Sequence, residues 1–91
     1  MSDPIGVVTP DELRAAQRRI LDTELAAWCR LIADNLAASI EMARERGEQP
    51  DAAEVKLDLV LDYEATFAKR VHGREMPRYE PRWPSRREEA A

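Results

Sequence analysis

Apolar residues recur along this chain at helical spacing, and prolines and glycines divide them into blocks. Between Pro10 and Gly47 there is no further proline or glycine. Within that run Leu13, Ile20, Leu21, Leu25, Trp28, Leu31, Ile32, Leu36 and Ile40 fall at helix-face intervals. A start signal precedes them. Thr9 suits the N-cap, Pro10 the first helical position, and Glu12 completes a Thr-x-x-Glu capping box. Val8 is placed to pack on Leu13 as a hydrophobic staple. Gly47 suits the residue just past a helix end, and Arg44 and Arg46 lie where cations favour the helix dipole. The pattern predicts a helix over 10–46, roughly 55 Å long.

The second block is ambiguous at first sight. Residues 55–63, VKLDLVLDY, alternate apolar and polar as a half-buried strand does. Leucine dominates them, however, β-branched residues are few, and the flanks PDAAE and EATFAKR favour helix. Ala53, Leu57, Val60, Leu61, Phe67, Ala68 and Val71 also keep the three- and four-residue rhythm. This predicts a helix over 51–72, with Asp51 and Glu54 as a weaker capping box and Gly73 as its stop.

The predicted architecture is therefore all-α: a two-helix antiparallel hairpin (1–73) followed by an extended C-terminal arm (74–91). Antiparallel pairing across the short turn sets Asn35 beside Glu64, Ile32 near Phe67, and Trp28 near Arg70 and Val71. Helix 1 then overhangs helix 2 by about a dozen residues, roughly 20 Å. Its apolar positions spread over an arc of about 200°, more than one neighbouring helix can bury. Assembly into a multi-helix bundle, or docking on another protein, is expected to cover Leu13, Ile20, Leu21, Leu25 and Trp28. In the arm, Pro77, Pro81 and Pro84 impose an extended path around PRYEPRWP. Arginine and aromatic residues are frequent interface anchors, so Tyr79, Arg82 and Trp83 are expected to dock on a protein surface, either the overhang of a second copy or a larger partner, with the chain fraying from Arg86 onward.

Charge sharpens this division. Residues 1–68 carry 14 acids and 7 bases, whereas residues 69–91 carry 7 bases and 4 acids. The two ends are expected to meet different surfaces. Asp51, Glu54, Asp58 and Asp62 form an acidic stripe along helix 2, either a solvated face or a docking strip for a basic segment. The overall charge of −4 disfavours nucleic acid as a partner. No apolar run approaches the roughly 20 residues that span a bilayer, and the N-terminal MSDPIGVV lacks the basic and apolar regions of a secretory signal. The single cysteine, Cys29, excludes an intrachain disulfide and fits a cytoplasmic setting.

Candidate chemistry is sparse. Glu24, Asn35 and Glu64 lie on apolar faces, where a bundle metal site would place carboxylates. Such sites add histidine three residues after the glutamate, and here those positions hold Ala27 and Phe67. The simpler expectation is an Asn35–Glu64 hydrogen bond that fixes register. Cys29 lies mid-helix without a nearby activating histidine, and the three glycines are too scattered for a phosphate loop. The sequence assigns no catalytic residue, cofactor or metal. It points away from an enzyme and towards a small accessory, assembly or inhibitory subunit that binds a protein partner or itself. The alternatives are a nucleic-acid-linked regulator, antitoxin-like, whose basic tail wraps its partner, and a small enzyme with its site between subunits.

Overall fold

The computed structural model describes residues 8–85; the expected fraying from Arg86 onward lies outside them. Two helices, α1 (Pro10–Glu45) and α2 (Asp51–His72), pack antiparallel as an all-α hairpin. The start of α1 follows its sequence signals: the Thr9 side chain accepts a hydrogen bond from the Glu12 amide at 3.1 Å. Val8 and Leu13 both remain about half exposed. The end of α1 needs a glycine. Gly47 has φ of 75°, its amide bonds to Arg44 O, and the Glu48 amide bonds to Ala43 O. That pair of reversed bonds is the Schellman motif. Gly73 ends α2 likewise at φ 70°, bonding to Lys69 O. The expected Asp51–Glu54 box does not form. Pro50 is the cap residue, no side chain among the described residues caps the helix, and Asp51 is already helical.

The seam between the helices differs from the one the apolar pattern suggests. On α1 the buried residues are Asp22, Ala26, Ala33, Ala37, Ile40 and Ala43; on α2 they are Leu57, Leu61, Glu64 and Ala68. The hairpin thus closes on the alanine face of α1. Relative to the face centred on Leu21, Trp28 and Ile32, this is a rotation of about 120°. The physical reason is complementarity of size. Alanines allow close approach, and the leucines of α2 fill the space they leave. Three ion pairs fix the register along the seam: Arg44–Glu54 at 2.9 Å, Arg30–Glu64 at 2.9 Å and Arg70–Asp22 at 3.7 Å. The rotation also corrects the expected Asn35–Glu64 pair. Asn35 is exposed, and Glu64 is bonded to Arg30 instead.

The arm completes the core. After Gly73 the chain reverses and returns along α2 towards the turn, extended until the backbone becomes helical at Pro84 and Ser85. Arg78 bridges Asp62 at 2.7 Å and Asp58 at 3.1 Å. Pro81 is buried, and Tyr79 and Trp83 pack on the cluster of Ala33, Ile40, Leu57 and Leu61. The Tyr79 hydroxyl donates to Asp34 at 3.0 Å, and the Arg82 amide donates to the same carboxylate at 2.9 Å. Ser85 adds to the latch, donating through its hydroxyl and its amide to Glu41 at 2.6 and 3.0 Å.

Candidate interaction surface

One helix offers one stripe to a partner helix, and the hairpin has used the alanine stripe of α1. The large apolar residues of α1 are consequently left outward. Trp28 is 61% exposed, Leu21 54%, and Leu13, Ile20, Leu31 and Ile32 lie between 42% and 61%. Leu25 is half-buried. By helix periodicity Leu21, Trp28 and Ile32 share one face, with Leu25 on the flank towards α2. Glu24, Ala27, Trp28 and Leu31 line a shallow groove of about 420 Å³ on this side. Glu24, a possible site carboxylate by sequence, is therefore a polar edge of an apolar surface. Val55, Leu59 and Tyr63 of α2 are also more than half exposed, on the side of α2 away from the seam.

Of the residues expected to bind a partner, the structure places five on this surface: Leu13, Ile20, Leu21, Leu25 and Trp28. The other three, Tyr79, Arg82 and Trp83, it places on the chain's own hairpin. Tyr79 and Trp83 are half-buried against the core, and Arg82 contributes its backbone amide to Asp34 while remaining exposed. The two groups are not brought together, since the arm covers the Asp34–Glu41 flank of α1. The acidic stripe of α2 does receive a basic segment, Arg78 of the same chain on Asp58 and Asp62.

Electrostatics adds a second feature at the open end of the hairpin. Arg70, near the end of α2, pairs with Asp22, so the twelve residues Pro10–Leu21 project beyond α2. Around this step Arg14, Arg18, Arg19 and Arg70 line a cleft of about 550 Å³ with Ala15 and Asp22. Asp22 is only 4% exposed. Sequence reasoning missed it, although its helical spacing to Ala26, Ala33 and Ala37 carries the signal. Asp34 and Glu41, which hold the arm, had no such signal, because their partners lie more than forty residues away.

Cys29 is half-buried beside the Arg30–Glu64 pair. Burial, reinforced by the Glu64 charge and opposed by Arg30, pushes its thiol up, the reverse of what a nucleophile needs. Among the described residues no cluster of three or more histidine, cysteine, aspartate or glutamate side chains could hold a metal ion. Nor is any described helix long and apolar enough to cross a membrane. Compared with protein-family models, curated proteins and solved structures, the chain matches none.

Proposed function

We propose that this chain is a small helical interaction subunit of the cytoplasm, an accessory, assembly or inhibitory protein. It docks on a protein partner or on itself through the apolar surface of α1, while the arm holds the hairpin in the shape that presents that surface. One observation carries the reading: Leu21, Trp28, Leu31 and Ile32 are each between 42% and 61% exposed on a helix whose other stripe is already used. Contiguous apolar surface of this kind is uncommon on self-sufficient monomers. Covering it returns on the order of 1 kcal/mol for each half-exposed side chain.

Sedimentation of the wild type and of Leu21→Asp tests this. The wild type is expected to associate as concentration rises, or to hold a partner, and Leu21→Asp to lower the mass or release that partner. A wild type that stays monomeric and binds nothing, with Leu21→Asp indistinguishable from it, overturns the reading.

A further inference from the structure

The seam of α1 does not stop where α2 stops. Between Ala43 and Asp22 it is covered by α2, which ends beside Asp22 through Arg70. The same helical rhythm continues through Arg18, Arg19 and Ala15, but nothing among the described residues lies on it. The chemistry changes at this step. The covered part is alanine and Ile40 with isolated carboxylate–arginine pairs; the uncovered part is a cleft edged by Arg14, Arg18, Arg19 and Arg70. Among the described residues two acids pair with these four cations: Asp22 at 3.7 Å from Arg70, and the exposed Asp11 at 3.7 Å from Arg14. A positive cleft therefore sits on a chain of net charge −4.

We infer that this cleft is the docking site for an acidic segment of a protein partner, lying on the overhang of α1 in line with α2. The inference deepens the proposed docking role by giving the chemistry of the partner. Three features select this occupant. Guanidinium groups pair with carboxylates through paired, planar hydrogen bonds, so neighbouring arginines suit a run of glutamate or aspartate. Ala15 keeps the floor of the cleft low, as Ala26 and Ala33 do where α2 lies. Along the covered part of the seam Leu57 and Leu61 fill the space beside the alanines, so an acidic segment with leucines at helical spacing continues that packing over Ala15. A nucleic acid is the poorer match, because its continuous phosphate charge meets the acidic remainder of the chain.

The test uses the full chain and a fluorescein-labelled peptide of glutamate and leucine at helical spacing, about twelve residues long to match the overhang. Saturable binding in dilute buffer is expected, weakening as salt screens the charges. Arg18→Glu with Arg19→Glu is expected to weaken it about tenfold, and Arg18→Gln alone by about threefold. Both changes are on exposed positions, and unchanged circular dichroism verifies folding. Equal affinity of wild type and both variants overturns the inference. Pyrophosphate or a short single-stranded DNA binding as tightly as the peptide also overturns it, reassigning the cleft to small anions or nucleic acid. Leu21→Asp separates the two proposals. If it leaves sedimentation unchanged while the salt-sensitive peptide binding persists, the apolar docking reading fails and the acidic-segment site stands. If it lowers the mass while the peptide fails to bind even the wild type, the apolar surface stands and the acidic-segment site falls.

Discussion

Glu64 shows what a single residue contributes here. Its side chain is 5% exposed, Oε2 accepts from Arg30, and Oε1 has no hydrogen-bond partner among the described residues. A buried carboxylate held by one bond is an asymmetric arrangement. Removing the arginine leaves the charge unpaired, so Arg30→Ala is expected to cost about 1–3 kcal/mol in urea unfolding. Removing the carboxylate instead, by Glu64→Leu, is expected to be neutral or stabilising, because the seam then closes over an apolar side chain. A larger loss in Glu64→Leu than in Arg30→Ala rules out this account. Tyr79 gives a pH dependence. Burial first, then its hydrogen bond to Asp34, raises its phenol above the ordinary tyrosine value. A raised folded value means that the neutral, donating form is favoured in the folded chain. The contribution is complete below the unfolded value, about 10, and is lost as pH rises through the folded one. The arm is thus expected to loosen in alkali, and Tyr79→Phe to show a smaller alkaline change in arm protection by hydrogen exchange. Identical profiles for the two proteins dismiss the phenol as the cause.

The two helices differ in how much of their structure was legible from sequence. Every terminal signal of α1 was local: the Thr9 cap, Pro10, and Gly47 past the end, where only a residue tolerant of positive φ ends the helix cleanly. The hairpin class followed from these signals and the short turn. The face on which it closes did not. Hydrophobicity ranks Leu21, Trp28 and Ile32 above alanine, yet the pairing is decided by which stripe lets two backbones approach. Alanine is the residue whose burial hydropathy least announces. The Asn35–Glu64 expectation failed for the same reason, since a rotation of one helix removes a residue from the seam without changing its level. That α1 carries more apolar residues than one neighbour can cover was legible, because the excess is a property of the pattern alone. The alanine seam carries its own prediction. Ala37 is fully buried, so Ala37→Leu has no space and is expected to destabilise the hairpin by about 1–3 kcal/mol. Leu31→Ala, on the outward face, is expected to leave the isolated chain within about 0.5 kcal/mol of wild type. Thermal melts at low protein concentration read both, and comparable losses from the two substitutions rule out the seam assignment.

The described chain is a rod, 72 × 29 × 19 Å, with a radius of gyration of 18.8 Å. A compact domain of this length has a radius of about 12 Å. Two helices in a rod bury little apolar area, and the arm supplies the third side of the core through Pro81, Tyr79 and Trp83. Its function in the isolated chain is therefore cohesion. Truncation after Gly73 preserves every helix cap and exposes the Leu57–Leu61 flank. Such a protein is expected to remain largely helical while losing about 2–4 kcal/mol of stability, a large share of what so small a domain has. The two tryptophans separate cohesion from association. Trp83, in the arm, is half-buried against the core, whereas Trp28 is 61% exposed on the outward face of α1. In dilute full-length protein a soluble quencher is expected to reach Trp28, read in Trp83→Phe, and to be partly excluded from Trp83, read in Trp28→Phe. As the chain associates or binds its partner, Trp28 alone is expected to become protected, because the surface being covered is the outward face and the arm is already seated. Free quencher access to Trp83 in dilute protein sinks the seated arm, and Trp28 remaining open in the assembled state sinks the docking surface on α1.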